Sequence, residues 1–189
     1  MRSIGARTAV GLAALVLVTS CTHGKEPTAS RTSTPPVAAA SASATDGTAD
    51  VRQFSCTDPI DQVVAPARPL HAILNAVALE TSTTTLQAND AGGTAPHRLF
   101  AKTPLLVHVG TPAVISLVGR WASRASITWG NHGTEWTTQL QVPACPSNGP
   151  GGDWLAYPGG LSVDQPACVP LEIRSGGSVT TVRISVGAA

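Results

Sequence analysis

Serine, histidine and aspartate side chains give this sequence its possible acid–base and nucleophilic chemistry. The segment Gly160-Leu161-Ser162-Val163-Asp164 has the opening glycine and the serine of a nucleophile elbow, but the closing glycine is missing and no α/β pattern surrounds it. A Ser–His–Asp triad is defined by proximity in space rather than by chain spacing, so the sequence keeps a hydrolase as the less favoured hypothesis. No Gly-rich phosphate loop, His-Glu-x-x-His motif or dinucleotide fingerprint occurs, and we expect the protein not to be an enzyme.

The histidines and carboxylates do not have the spacing of a metal site. The five histidines are His23, His71, His97, His108 and His132. No pair has the close ligand spacing of a zinc motif, and no Cys-x-x-Cys occurs. Two of the histidines, His71 and His108, occupy strand positions that could share one face, and Asp58 and Asp61 border the first strand as turn residues. We therefore expect no metal and no cofactor.

Aromatic side chains cluster in one part of the sequence. Five of the seven aromatic residues lie close together: Trp121, Trp129, Trp136, Trp154 and Tyr157. Rings beside Gly-rich loops can stack on sugars or on a partner protein, and Trp136, Trp154 and Tyr157 are the candidates for ligand stacking. The alternative is that Trp129 and Trp154 fill a β-sandwich core, with Trp136 the most exposed of the five.

The region around Cys21 has the layout of an export signal. Arg2 and Arg7 precede an apolar run over residues 9–18, and small residues follow. The sequence Leu17-Val18-Thr19-Ser20-Cys21 resembles a bacterial lipobox, in which the cysteine receives a diacylglycerol and palmitate-type acyl chains and becomes the mature amino terminus. The apolar run has about half the roughly 20 residues that a membrane-spanning helix needs. We therefore predict a lipid anchor at Cys21 on the extracytoplasmic face of the cell membrane; secretion without lipid is the alternative.

Charge and composition argue against a nucleic-acid partner. The chain has 12 Lys+Arg and 11 Asp+Glu, a formal charge of +1. Removal of residues 1–20 takes away Arg2 and Arg7, which leaves ten cations against eleven carboxylates and a formal charge of −1. Because phosphate recognition depends on clustered cations, we expect no nucleic-acid partner.

The sequence divides into three segments. Residues 1–20 form the predicted lipoprotein signal peptide, and residues 21–50 comprise the lipidated Cys21 and a tether of mainly Ala, Ser, Thr and Pro. Such a composition buries too little apolar surface to offset the entropy of ordering, so we predict that the tether is disordered. Residues 51–189 are long enough for one domain with a single core.

The pattern of residues 51–189 predicts strands. Apolar residues alternate with polar ones over 138–142, 169–173 and 182–186, as in half-buried antiparallel strands. Ser175-Gly176-Gly177-Ser178 is typical of a hairpin turn between two of them. The segments 70–80, 105–109, 114–118 and 126–129 are predicted as further strands, with 70–80 a single strand or, less favoured, a short helix. We expect an all-β fold, an antiparallel β-sandwich of about seven or eight strands with an immunoglobulin-like outline.

Three cysteines remain if Cys21 carries lipid. An oxidising compartment favours disulfides, and three cysteines allow three single bridges. Cys145 and Cys168 bracket a Gly- and Pro-rich segment with few strand residues. A bridge between them closes a loop of about 23 residues and stabilises by roughly 3 kcal/mol. We therefore predict the Cys145–Cys168 disulfide, which leaves Cys56 buried, reactive or paired between molecules.

Four further motifs stand out: Trp129-Gly130-Asn131, Val142-Pro143-Ala144-Cys145-Pro146, Trp154-Leu155-Ala156-Tyr157-Pro158-Gly159-Gly160 and Pro166-Ala167-Cys168-Val169-Pro170-Leu171. Together they resemble a family of small actinobacterial exported proteins and lipoproteins of unknown function. The resemblance extends from about Cys56 to Val186 and implies an exported location and a β fold, but no activity. It also implies a further cysteine after Val186-Gly187 as partner of the first one, which this sequence lacks.

The sequence favours a non-enzymatic surface lipoprotein that binds or supports another envelope component. Its expected partners are the membrane, through the lipid at Cys21, and a cell-wall glycan or an envelope protein. The competing hypothesis is a carbohydrate-binding module that stacks sugars on Trp136 or Trp154.

Overall fold

Strands make up almost all of the regular structure in the described part of this chain. The computed structural model describes residues 51–57, 59–130 and 135–188. The predictions for the signal peptide, the tether, Cys21, His23, Asp58 and His132 lie outside the described residues. The described elements are β1 (Val51–Gln53), β2 (Asp61–Val63), β3 (Leu70–Ile73), β4 (Val77–Glu80), β5 (Thr85–Asp90), β6 (Leu99–Lys102), β7 (Leu105–His108), β8 (Ala113–Leu117), the 3-10 helix η1 (Gly119–Ser123), β9 (Ala125–Trp129), β10 (Gln139–Val142), β11 (Trp154–Tyr157), β12 (Gly159–Val163), β13 (Ala167–Ser175) and β14 (Ser178–Ala188).

The strands form two sheets. The larger sheet has nine strands in the order β1-β10-β8-β13-β14-β5-β6-β12-β9, and the smaller has five in the order β2-β11-β7-β4-β3. All neighbours are antiparallel except β1 with β10 and β14 with β5, which are parallel. The predicted all-β class is confirmed for the described residues, whereas the predicted count of seven or eight strands is too low. In the same ranges, no helix has the length and apolar character needed to cross a membrane.

The strands predicted from alternation are present with the expected faces. In β13, Val169, Leu171 and Ile173 are fully buried, while the residues between them are half-buried or exposed. The hairpin between β13 and β14 turns at Gly176 and Gly177, whose φ angles of 55° and 78° are both positive. Two positive φ angles in a two-residue loop match the twist of antiparallel strands and strongly favour glycine, so this predicted hairpin is confirmed.

Residues 70–80 fold as a hairpin instead of the single strand that was predicted. Strands β3 and β4 pair with each other, and the chain reverses at Leu74 and Asn75, whose φ angles are 53° and 49°. The Ala76 amide donates to the Ile73 carbonyl and closes the turn (3.1 Å). A leucine rarely adopts positive φ, so the sequence carries no glycine signal for this turn.

The predicted segments leave out six strands, β1, β2, β5, β6, β11 and β12, and two of these, β11 and β12, lack alternation. Every residue of β11 and β12 is buried, so neither segment has a polar face that could show a period of two. The glycines of β12 were interpreted as turn residues, but they lie in the sheet. A Cβ on Gly159 would collide with the Thr128 carbonyl oxygen of β9, and one on Gly160 with the Ala101 carbonyl oxygen of β6. Glycine is required here by the close approach of neighbouring backbones.

Both sheets contribute side chains to one shared core. Its fully buried members include Ile115, Leu140 and Leu171 from the nine-stranded sheet and Leu79, Val107 and Leu155 from the five-stranded sheet. A second, smaller cluster lies on the opposite face of the five-stranded sheet and consists of Ala78, Leu106, Trp154 and Ala156. Val63 and Leu70, which flank the connection over 64–69, pack against this second cluster.

The nine-stranded sheet curls until its two edges approach each other. Arg52 of edge strand β1 donates from Nη2 to the Trp129 carbonyl of the opposite edge strand β9 (2.6 Å) and forms an ion pair with Glu135 (3.0 Å). Ile127 of β9 also exchanges backbone hydrogen bonds with Thr137, just before β10.

Candidate functional site

The disulfide joins a different pair of cysteines from the one predicted. Cys56 and Cys145 are bonded, with their Cα atoms 5.4 Å apart and a sequence separation of 89. The predicted Cys145–Cys168 bridge is therefore wrong, and so is the prediction that Cys56 lacks an intramolecular partner. The prediction of the Cys145–Cys168 disulfide assumed a flexible segment between these cysteines. This segment instead contains the buried strands β11 and β12. These strands pair with β2 and β7 and with β6 and β9, so the segment is part of both sheets.

Two of the three predicted stacking residues are buried. Trp154 is 5% exposed and Tyr157 is 0% exposed, so neither ring offers a face to a sugar. Trp154 packs in the second cluster, where the His108 ring meets it edge-on at 4.9 Å between centroids. Their assignment as stacking residues is thus wrong, and the core-packing alternative holds for Trp154 as it does for the fully buried Trp129.

Tyr157 connects the five-stranded sheet to the disulfide. Its hydroxyl donates to the Cys56 carbonyl (3.0 Å), and its ring contacts Phe54 edge-on at 4.7 Å between centroids. Burial raises the pKa of the Tyr157 phenol above its ordinary value of 10.0, because the low-polarity surroundings disfavour the phenolate. This tyrosine is therefore a structural residue of the core.

Trp136 is the stacking candidate that retains partial exposure. It is half-buried and packs edge-on against Phe100 of β6, with centroids 5.6 Å apart. Phe100 itself lies beside Gly160, where the absence of a Cβ makes room for its ring. The pair sits on the outer face of the nine-stranded sheet, since both neighbours of Phe100, Leu99 and Ala101, point into the core.

Ser162 is not placed as a catalytic serine. It lies in the middle of β12, opposite Phe100 and Ser126 on the neighbouring strands. The residue is 0% exposed, and its hydroxyl has no hydrogen-bond partner in the described part of the chain. A nucleophilic serine requires a base within hydrogen-bond reach and access to substrate, and this geometry provides neither to Ser162.

The described histidines are separated from one another. His71 pairs with Leu79 of the main core face, whereas His108 pairs with Trp154 on the opposite face of the same sheet. The expectation that these two histidines could share a face is therefore wrong. His97 contacts Asp164 (3.1 Å) at a third place. Among the described residues no group of three His, Cys, Asp or Glu side chains could hold a metal ion.

A groove that the sequence did not reveal lies on the outer face of the nine-stranded sheet. Its volume is about 590 Å³, within the range of ligand sites. Five of its lining residues form one cross-strand row, in the order Gln53, Gln141, Val114, Arg174 and Val179. The polar positions of the alternating strands were visible in the sequence, but the lateral order that aligns them was not.

The wall of the groove is fixed by the hairpin of β13 and β14. The Ser175 hydroxyl donates to the Pro112 carbonyl (2.7 Å) and ties the hairpin tip to the start of β8. Arg174 pairs with Glu172 of the same strand (2.6 Å), so the only charged side chain among the described residues that line the groove is compensated. Glu172 therefore neutralises the arginine at this wall of the groove.

Comparison of the chain with protein-family models, curated proteins and solved structures found no match.

Proposed function

We propose that this protein is a cell-surface lipoprotein, anchored by acyl chains at Cys21, whose β domain binds or supports another envelope component without catalysing a reaction. The observation that carries the proposal is the Cys56–Cys145 disulfide in a chain whose leader has the layout of an export signal. Two independent features, one in the leader and one in the domain, thus favour the same compartment.

The disulfide supports an extracytoplasmic location. Reducing conditions keep most cytosolic thiols free, whereas exported proteins keep their disulfides. Cys145 is fully buried, and the bridge connects the segment after β1 with the segment after β10. A disulfide in the core in this way favours a protein that folds in an oxidising compartment.

The domain architecture supports a binding or structural role. We propose that the two sheets, which share one core, form a β-sandwich with an immunoglobulin-like outline, and that the protein is a member of the exported actinobacterial family that its motifs resemble. The buried position of Ser162 removes the one serine that the sequence offered as a nucleophile. A rigid module on a tether fits recognition better than turnover.

The anchor is tested by fractionating cells that produce the full chain or its Cys21→Ala variant. We expect wild type in the membrane fraction, the variant released from it, and unprocessed wild type after globomycin treatment. The Ser20→Ala variant is the matched control, because it keeps a small residue before the cysteine. Native levels of Cys21→Ala in the membrane would overturn the proposal. A disulfide-linked peptide that contains Cys21 would do the same, since a thioether sulfur cannot form a disulfide.

Glycan stacking through Trp136 is a second candidate function. The half-buried pair of Trp136 and Phe100 on the outer sheet face favours it. Retention on immobilised cell-wall polysaccharide is expected to fall in Trp136→Ala and to persist in Trp121→Ala, which removes a half-buried tryptophan elsewhere. Equal retention of both variants rejects this candidate.

A further inference from the structure

We infer that the groove over Gln53, Gln141, Val114, Arg174 and Val179 binds an uncharged polysaccharide strand laid across the strands of the nine-stranded sheet. The inference rests on the proposed cell-surface role, because it takes the ligand from the envelope. It assigns recognition to a surface that contains none of the aromatic residues singled out in the sequence.

The row is a single line of side chains. Gln53 pairs with Gln141, Gln141 with Val114, Val114 with Arg174, and Arg174 with Val179. Directly opposed residues of paired strands project to the same face. The residues next to them in sequence, Leu140, Ile115 and Ile173, are fully buried, so the row faces away from the core. Five strands at about 4.8 Å spacing make the row about 19 Å long.

The direction of the row argues for a glycan rather than a peptide strand. A peptide that extends a sheet runs parallel to the edge strand and bonds to its backbone. A ligand in this groove crosses β1, β10, β8, β13 and β14 and meets side chains instead. The groove therefore suits a chain recognised through its own polar substituents, as a polysaccharide is through its hydroxyl groups.

The chemistry of the row fits hydroxyl groups. Gln53 and Gln141 are exposed, and each side-chain amide offers two donors and an acceptor. No hydrogen bond is made by either side-chain amide within the described ranges. Hydroxyls are donors and acceptors at once, so a sugar satisfies both ends of an amide. Val114 and the 56% exposed Val179 provide apolar surface for the C–H groups of a sugar ring.

The electrostatics favour an uncharged ligand. Within the described ranges, Arg174 is the single charged residue that lines the groove, and Glu172 already holds its guanidinium through Nε and Nη2 at 2.6 Å. An anionic polymer would have to compete with the Glu172 carboxylate for the guanidinium and would be repelled by the negative charge of that carboxylate. An uncharged polysaccharide avoids both costs.

The test measures binding of the purified full chain in detergent to soluble polysaccharides by affinity electrophoresis. The probes are uncharged arabinogalactan, glucan and mannan, with polygalacturonate as the anionic comparison. We expect at least one uncharged probe to bind and polygalacturonate to bind more weakly. The Gln53→Ala/Gln141→Ala variant is expected to bind at least about tenfold more weakly, since two hydrogen bonds are lost.

The matched control is Gln87→Ala. Gln87 is an exposed glutamine of β5 on the same sheet and does not line the groove, so this variant should bind within about twofold of wild type. Thermal unfolding of each variant separates lost binding from lost folding. The inference is overturned if no uncharged probe binds, if polygalacturonate binds as tightly, or if the double glutamine variant binds like wild type. Cell fractionation plays no part in this assay, so its outcome is distinguishable from failure of the lipid anchor.

Discussion

The two sheets differ in how they use their outer faces. In the nine-stranded sheet, one face packs in the core and the other carries the polar row from Gln53 to Val179. In the five-stranded sheet, β7 is buried on both sides, with Leu105 in the shared core and Leu106 in the second cluster. The smaller sheet is thus buried on both faces at its centre, whereas the larger sheet exposes polar side chains along this row.

The largest expected effect concerns the junction between the sheets. The disulfide lies at this junction. The Tyr157 hydroxyl of the smaller sheet donates a hydrogen bond to the Cys56 carbonyl, and the Gly110 amide, just after β7, donates one to the Cys145 carbonyl. Replacing both cysteines by serine opens a loop of 89 residues and should lower the free energy of unfolding by about 4 to 5 kcal/mol in the chain-entropy model. Urea denaturation of the full chain measures this loss.

The single variants provide the control for this prediction. Cys56→Ser and Cys145→Ser each abolish the same bridge, so each should cost nearly as much as the double variant rather than half of it. Additive single effects, or a double variant with the wild-type urea midpoint, would show that packing alone holds the junction.

The next prediction compares the two faces of β7 directly. Leu105→Ala should destabilise by about 4 kcal/mol, because it opens a cavity in a large core that cannot collapse around it. Leu106→Ala should cost only about 2 kcal/mol, because the second cluster is small and bordered by the half-buried Val63 and Leu70. Thermal or urea unfolding of the two variants gives the difference.

This pair of substitutions serves as its own control. The same atoms are removed from adjacent residues of one strand, and both leucines are buried, at 0% and 4% exposure. Equal losses would mean that the second cluster is as rigid as the shared core. The two faces of β7 would then not differ in how rigidly they are packed.

How far the sequence could predict this structure depends on how many faces of a strand are buried. Strands such as β13, with one buried face, alternate between Val169, Leu171 and Ile173 on one side and polar residues on the other, and they were found. Strand β12 is buried throughout and begins with Gly159 and Gly160, so its pattern resembled a turn. The role of these glycines depends on carbonyl oxygens of β6 and β9, which are distant in sequence.

The candidate sites were predictable only in part for a related reason. The sequence identified the aromatic residues, but their burial decides their role. Trp154 and Tyr157 are buried by residues distant in sequence, so no local sequence pattern indicates their burial. The groove depends on registers between β1, β10, β8, β13 and β14. Lateral strand order is set by tertiary packing, so Gln141 could be predicted as exposed, but not as the neighbour of Gln53 in the unpredicted strand β1.

The smallest expected effect is a pH dependence at the junction. Because burial raises the pKa of Tyr157 above 10.0 in the folded state, the unfolded chain loses this proton first as the pH rises. The contribution of Tyr157 to the free energy of unfolding is therefore complete below pH 10.0 and is lost as the pH rises through the folded pKa.

The Tyr157→Phe variant should be less stable than wild type by about 1 kcal/mol at neutral pH, because the hydrogen bond to Cys56 is lost. Its free energy of unfolding should then fall less than that of wild type at alkaline pH. Urea unfolding at about pH 8 and about pH 11 measures this, and the single tyrosine of the chain allows an absorbance titration in parallel. Other titrating groups are common to both proteins, so an identical alkaline decline in wild type and Tyr157→Phe would show that the buried phenol does not couple the sheets to pH.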